Sequence, residues 1–341
     1  MMKRLVGALQ ILMSFTAVAA ACVCWPDARL PYVPSAPVSR MTPIGPGVTL
    51  EVLDWGGRGR PLVFLAGLGN TAHVFDTFAP QFTDSFHVVA ITRRGFGASA
   101  GAPPPNNLDT LVADIATALD SLGLGEVVLV GHSIAGEEMT RFAELHGARC
   151  AGLLYLDAAY DRSGVDTLAL KQPSAPGPLI RAADTASFAT VRALYARVQG
   201  VEQPESDIRA TERFDAADRY EGSVTPNSLK ARVVSGTQVA RYGRSHCRAL
   251  ALYAVPDSVG DVIPYYKEFD AAGRAQAESV LAFVQGVVAD ARTRIARFPQ
   301  YQLVDVHGSN HYLFLQHRRE VAAAMRTFLR AQSLPQRPND R

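Results

Sequence analysis

The chain has 341 residues, 48% of them apolar, which is enough for a large buried core and too apolar for a disordered chain. Its 34 Lys and Arg against 32 Asp and Glu leave no basic surplus of the kind that nucleic-acid binding leans on, so no nucleic-acid partner is expected. There is no block of like charge and no fixed-period repeat, which sets aside charged tails and solenoids.

Met1-Met2-Lys3-Arg4 opens the chain, followed by an apolar stretch from Leu5 to Ala21 broken only by Gln10, Ser14 and Thr16. Small residues then crowd together at Ala17 and Ala19 to Ala21. This layout is that of a secretory leader, expected over residues 1–24, and it implies a secreted or periplasmic protein. Two alternatives give membrane attachment through the N-terminus. One is an uncleaved anchor, for which the stretch is slightly short. The other is a lipoprotein through Cys22, because Ala19-Ala20-Ala21-Cys22 loosely matches a bacterial lipobox. Export would permit disulfides. Cys22 and Cys24 lie at the processing point, so Cys150 and Cys247 remain for the folded part.

Residues 25–47 carry Pro26, Pro31, Pro34, Pro37, Pro43 and Pro46, a density expected of an extended linker. From Val48 to Trp55 the residues half alternate, as in an antiparallel or edge strand. Four short apolar runs follow: Pro61 to Ala66, His87 to Ile91, Val127 to Val130 and Gly152 to Leu156. Continuous apolar runs suit strands buried on both faces of a parallel sheet. Between the second and third, Leu108, Leu111, Ile115, Leu119 and Leu122 have helical spacing, and Gly123 supplies a C-cap. Strand and helix in alternation imply an α/β fold with right-handed crossovers. Residues 160–246 lean helical but are broken by Pro173, Pro176, Pro178, Pro204 and Pro226, and read as an inserted helical cap. A strand at Leu250 to Val255, a long helix from about Arg274 to Phe298, a strand at Tyr301 to Val306 and a helix from about Arg318 to Ala331 complete the chain.

Chemistry concentrates in a few places. The run at 127–130 enters Gly131-His132-Ser133-Ile134-Ala135-Gly136, and a helix with Met139, Phe142 and Leu145 begins at once. A strand, a tight turn with a central Ser and a helix make a nucleophile elbow, in which small neighbours let the hydroxyl rise clear of the sheet. Ala135 stands where this motif has its second Gly. His311 follows the last strand in a Gly-Ser-Asn loop. An imidazole there suits taking and returning a proton near neutrality. His307, at the strand end, is the second choice. No HExxH helix is present, so a zinc peptidase is set aside and no metal or organic cofactor is implied. Glu137 and Glu138 fall in the first turn after Ser133, where the helix dipole accounts for them.

These motifs, in this order, resemble the α/β-hydrolase family from about Val48 to Leu329. Leu65-Ala66-Gly67-Leu68-Gly69 resembles its oxyanion loop, with Ala66 in place of the common His. Thr92 to Ser99 resembles its D-x-RG-x-G-x-S turn, with Thr92 in place of Asp and with Arg94, Gly95 and Gly97 in structural positions. Gly131 to Gly136 resembles its elbow, and Gly308 to His311 its loop with the catalytic His. The resemblance implies a mostly parallel sheet flanked by helices, with core segments 48–159 and 247–332 and the helical cap 160–246 inserted after the sixth strand. It implies Ser133 as nucleophile, His311 as base, and the backbone N–H groups of Leu68 and Ile134 as the oxyanion hole. The acid is expected at Asp257, beyond the strand ending at Val255, with Asp157 and Asp261 as alternatives. It also makes the strands that follow Cys150 and Cys247 parallel neighbours, which would let the two cysteines pair. The implied reaction is hydrolysis of a small-molecule ester, with an amide or lactone second, through an acyl-enzyme on Ser133. C–C bond hydrolysis, perhydrolysis and a non-catalytic binding module on the same fold remain alternatives. Arg181, Arg192, Arg197, Arg209 and Arg213 in the cap would either favour an acidic substrate group or simply line a solvated face.

Overall fold

The computed structural model describes residues 36–99, 103–163 and 172–333. The expected leader at 1–24, Cys22 and the first part of the proline-rich stretch lie outside these residues. Among the described residues, no helix is long and apolar enough to cross a membrane.

Ten strands are present among the described residues: β1 (Val38–Gly45), β2 (Val48–Gly56), β3 (Pro61–Leu65), β4 (His87–Ile91), β5 (Val127–His132), β6 (Cys150–Leu156), β7 (Glu212–Phe214), β8 (Tyr220–Ser223), β9 (Ala249–Val255) and β10 (Tyr301–His307). Seven helices of more than one turn accompany them: α1 (Leu108–Ser121), α2 (Ala135–Leu145), α3 (Phe188–Gln199), α4 (Glu205–Thr211), α5 (Asn227–Ser235), α6 (Ala271–Ile295) and α7 (Arg318–Ser333). Eight strands form one sheet in the order β1-β2-β4-β3-β5-β6-β9-β10. The pairs from β4 through β10 are parallel, while β1 and β2 add an antiparallel edge. This is the expected mostly parallel sheet flanked by helices.

The apolar runs fill both faces of that sheet. Val63, Leu129, Leu153 and Tyr155 face α1, α2 and α6 through Leu119, Met139, Phe142 and Ile295. Phe64, Val128, Leu154 and Leu252 face the opposite way, against Phe75, Phe78, Phe314 and Phe328. Burying each of these large side chains contributes about 1.5–3 kcal/mol, so the central strands are the least negotiable part of the chain. Helix ends follow local chemistry: Asn107 caps α1 by accepting from the Thr110 N–H at 3.0 Å, and Gly123, with φ of 66°, ends it.

The proline-rich stretch is not only a linker. Its second part, Val38–Gly45, is β1, paired antiparallel with β2 and carrying Pro43 at a register shift. An edge strand tolerates proline because one row of its N–H groups faces no neighbour, so proline density and strand structure are compatible here. The stretch expected as a helical cap is mixed. It holds α3, α4 and α5, but also the β7–β8 hairpin, a separate two-stranded sheet.

Cys150, the first residue of β6, and Cys247, two residues before β9, form a disulfide with a Cα separation of 6.2 Å. It closes a loop of sequence separation 97 around the whole β6–β9 segment. Cross-links of this kind stabilise mainly by restricting the unfolded chain, typically by about 2–4 kcal/mol. A Cys150→Ala/Cys247→Ala double variant is expected to lose stability of about that size in urea unfolding, and an unchanged midpoint would contradict the assignment.

Candidate active site

Parallel register brings the ends of five strands to one edge. Leu65 pairs with Gly131, His132 with Leu156, Leu156 with Leu252, and Val255 with His307. The segments that leave this edge begin with Ala66, Ser133, Asp157, Pro256 and Gly308, so every residue singled out for chemistry emerges there. Open α/β sheets place their sites at this carboxyl edge.

The elbow is strained. Ser133 has a φ of 56°, in the left-handed region that costs a non-glycine residue about 1–3 kcal/mol. The turn is held because β5 is buried throughout and the Ser133 N–H donates to the Leu156 carbonyl at 3.3 Å. A Cβ on Gly136 would stand 2.0 Å from the Ala158 carbonyl oxygen, and one on Gly131 would stand 2.8 Å from Met139 Sδ. The close backbone approach therefore falls on Gly136, and position 135 accepts an alanine.

The His311 ring is held by Asp157. Nδ1 of His311 lies 2.6 Å from Asp157 Oδ2. The other carboxylate oxygen accepts from the Tyr160 hydroxyl at 2.6 Å and the Ala254 N–H at 3.1 Å. Burial, with the Asp157 charge second, raises the Tyr160 phenol well above its ordinary range, so it remains a donor. With the carboxylate accepting, Nδ1 carries the proton and Nε2 is left as a base. The Asp157 side chain is 9% exposed and that of His311 45%.

Asp257 does not take this position, which corrects the expectation from sequence. Its side chain is 56% exposed and pairs with His307 Nδ1 at 3.2 Å. Asp261 Oδ2 caps its own helical turn, accepting from the Asp257 and Ser258 N–H groups at 3.1 and 2.8 Å. The reason is topological. Asp157 leaves β6, the direct neighbour of β5, whereas Asp257 leaves β9, one strand farther from Ser133. The Asp157 backbone also turns through a φ of 47° immediately after β6.

Two further residues tie these loops together, and sequence reasoning passed over both. His132 is buried, and its Nε2 donates to the His311 carbonyl at 2.9 Å. Its ring centroid lies 4.5 Å from that of His311. Burial, reinforced by the neighbouring His311, holds its pKa well below the ordinary imidazole value, so it is neutral. Arg93 is the second. Its Nε donates to Glu138 Oε1 at 2.6 Å, its Nη2 to the Ala66 carbonyl at 2.8 Å and its Nη1 to the Gly67 carbonyl at 3.3 Å. In a trans peptide C=O and N–H point in opposite directions. Holding the Gly67 carbonyl therefore turns the Leu68 N–H away from Arg93. Glu138 thus anchors the guanidinium, beyond any favourable effect of the α2 dipole. A Cβ on Gly67 would stand 3.1 Å from Ser133 Cβ, so this loop lies directly against the elbow.

The family model described as the alpha/beta hydrolase family matches residues 62–324, well over half of the chain. The chain belongs to this family. Over 287 residues it is 26% identical to 2-(acetamidomethylene)succinate hydrolase of Mesorhizobium japonicum, covering 81% of this chain and 89% of that one. It is 37% identical over 105 residues to a non-heme haloperoxidase of Rhodococcus erythropolis, but this match spans only 37% of the relative and 30% of the chain. The crystal structure of E-2-(acetamidomethylene)succinate hydrolase superposes with a TM-score of 0.63 at 18% identity, covering 86% of this chain and 98% of that one.

Relative to the α/β-hydrolase pattern, the Thr92 departure is absorbed locally. Thr92 Oγ1 donates to Glu51 Oε2 at 2.9 Å and accepts from the Ala72 N–H at 2.9 Å, so Glu51 supplies a carboxylate beneath the turn. Arg94 is ion-paired with buried Asp114. A cavity of about 270 Å³ opens beside the His311–Asp157 pair, lined by Tyr160, Val198, Val284, Val288 and Asn310 among others, but not by Ser133. Three of the five arginines singled out in this segment are ion-paired: Arg192 with Glu202, Arg197 with Glu268, and Arg209 with Glu205.

Glu137 differs from its neighbour. It is buried, accepts the Arg162 backbone N–H at 2.9 Å, and burial pushes its pKa up to about 7 against the opposing effect of that bond. A carboxyl whose pKa is higher folded than unfolded binds its proton more tightly in the native state. Its contribution is therefore fully present below the ordinary value of 4.5 and is lost as pH rises through about 7. Glu137→Gln is expected to flatten the fall in stability across that window, measured by urea unfolding at several pH values. An unaltered pH profile would contradict the burial argument.

Proposed function

We propose that the protein is a serine hydrolase that cleaves a small-molecule ester, or an amide or lactone, through an acyl-enzyme on Ser133. The observation that carries the reading is the 2.6 Å hydrogen bond between His311 Nδ1 and Asp157, at the same sheet edge as the strained Ser133 turn. In this reading Ser133 Oγ attacks the carbonyl carbon while His311 Nε2 takes the hydroxyl proton. Asp157 keeps the ring in the required tautomer and stabilises the imidazolium. The Leu68 and Ile134 N–H groups receive the charge on the carbonyl oxygen, the first aimed by Arg93 and the second at the N-cap of α2. His311 returns its proton to the leaving group as the bond to carbon breaks. A water molecule, deprotonated by the same Nε2, then releases the acid and restores Ser133.

The 26% identity to a hydrolase over most of both chains supports hydrolytic chemistry. The cavity beside His311 supports a largely apolar arm on the substrate, because Val198, Val284 and Val288 line it together with Asp157 and Asp261, and no Lys or Arg does. Arg192, Arg197 and Arg209 are engaged with carboxylates elsewhere, so recognition of an acidic group gains no support from these three. Export is the compartment the reading implies, supported by the Cys150–Cys247 disulfide, a bond that persists in oxidising surroundings.

Wild-type protein is expected to react with a fluorophosphonate, and Ser133→Ala is expected not to, with ester hydrolysis lower by several powers of ten. Asp157→Asn is expected to lose roughly 10⁴ in kcat while remaining folded, and Asp257→Asn to keep near-normal turnover. Labelling of Ser133→Ala at the wild-type rate would remove the nucleophile from this account. A crippled Asp257→Asn beside an active Asp157→Asn would return the acid to the β9 loop.

A further inference from the structure

One carboxylate in the inserted segment plays no part in that reaction and yet is bound to its machinery. Asp207, on α4, is 0% exposed. Its Oδ1 accepts from the Thr71 N–H at 2.9 Å and the Thr71 hydroxyl at 2.7 Å, and its Oδ2 accepts from Asn70 Nδ2 at 2.8 Å. Asn70 and Thr71 are the last residues of the loop that carries Leu68. The same Asn70 amide accepts, through Oδ1, the hydroxyl of Tyr312, the residue after His311, at 3.1 Å. A single side-chain amide thus joins the insertion, the oxyanion loop and the histidine loop.

We propose that Asp207 is a positioning residue, through which the inserted segment sets the oxyanion loop and the His311 loop in register with each other. The inference rests on the serine-hydrolase reading above. Arg93 holds the near end of the oxyanion loop by the Ala66 and Gly67 carbonyls. Asp207 holds the far end, past Gly69, whose φ of 90° gives the loop its sharp turn. Between these two anchors the Leu68 N–H has little freedom.

The chemistry of the site favours positioning over simple packing. Its hydrogen bonds from Thr71 and Asn70 come from neutral donors, although burying an ionised carboxylate without a partner cation is unfavourable. Burial accordingly pushes the Asp207 pKa up to about 6, against the hydrogen bonds of Thr71 and Asn70. The nearby cation is His73, which bonds Asp76 and Glu51 instead, at 3.0 and 3.3 Å. An apolar side chain would fill the same volume without that cost, but it could not orient the Asn70 amide. The orientation matters: with Nδ2 engaged by Asp207, Oδ1 is left facing Tyr312. Burial, with the Asp207 charge second, pushes the Tyr312 phenol up to about 12, so that hydroxyl remains a donor.

The test is an exchange of the two side chains in the full-length protein. Asp207→Asn keeps the volume; with its oxygen kept by the two Thr71 donors, it sets an N–H₂ group against the Asn70 N–H₂ group, so Asn70 turns and releases Tyr312. In the Asn70→Asp/Asp207→Asn double variant the amide at 207 donates to the carboxylate at 70, which still accepts from Tyr312, and Thr71 keeps both of its bonds. Rates of fluorophosphonate labelling at Ser133, together with kcat and KM for a p-nitrophenyl ester, are the readouts. Asp207→Asn is expected to lower labelling and kcat by about tenfold to a hundredfold, the size of loss that a misplacement of about 1 Å brings, with KM within about twofold. The double variant is expected to recover most of that loss, and it does so even if Asp207→Asn alone folds poorly. Asp207→Asn with wild-type rates, a double variant that folds without recovering kcat, or failure of both variants to fold would each overturn the positioning role while wild type still labels. Wild type that fails to label would instead overturn the hydrolase reading, and the positioning role with it.

Discussion

Three hydrogen-bond donors from three separate parts of the chain meet on the Asp157 carboxylate: His311 after β10, Ala254 in β9 and Tyr160 after β6. A carboxylate this enclosed is tolerated only when its lone pairs are satisfied. Each donor is available because the parallel register delivers it to the same edge of the sheet. The interaction is therefore a consequence of the whole fold. A slip of one residue in β6 or β9 would exchange the side chains packed on the two faces, moving Leu154 and Leu252 out of their own cluster, and would separate Asp157 from its partners.

Around this point the loops are fixed by buried polar contacts more than by apolar packing. Arg93 with Glu138 and His132 with the His311 carbonyl each join segments far apart in sequence. Buried ion pairs contribute little net stability, because desolvation offsets the attraction, but breaking one leaves an unpaired charge. Such contacts suit a site in which a backbone N–H must point in one direction. The strain in Ser133 is accommodated the same way, by neighbours that leave the turn no alternative: Gly136 beneath Ala158, and Gly67 against the serine itself.

Much of the fold was readable from the sequence because its signals are local. Pro61 to Leu65, His87 to Ile91 and Val127 to Val130 are short, mostly apolar runs rich in Val, Leu and Ile, which at that length suit strands buried on both faces. The elbow and the Gly-Ser-Asn-His loop carry their own small-residue signatures. β1 was hidden by Pro43 and the flanking Pro37 and Pro46, since an extended linker and an edge strand look alike at that composition. The β7–β8 hairpin, only a few residues long and largely polar, gives no alternation to detect. The carboxylate beside His311 was a different problem. Asp157 and Asp257 each follow an apolar strand at the correct edge, and the choice depends on which strand neighbours β5 and on a left-handed turn at Asp157. Neither is written in the local sequence. Likewise His132 occupies a variable place in its motif, and Arg93 reads as the duplicate of Arg94.

Asp157, and not Asp257, holds His311 through its Nδ1 proton. A proton shared over 2.6 Å with a buried carboxylate exchanges slowly with water and resonates far downfield. Proton NMR of the folded protein, with ¹⁵N labelling of histidine to assign the signal to His311 Nδ1, measures it directly. The account predicts that this resonance is present in wild type and in Asp257→Asn, and absent in a folded Asp157→Asn protein. A signal that survives Asp157→Asn and disappears in Asp257→Asn would contradict it.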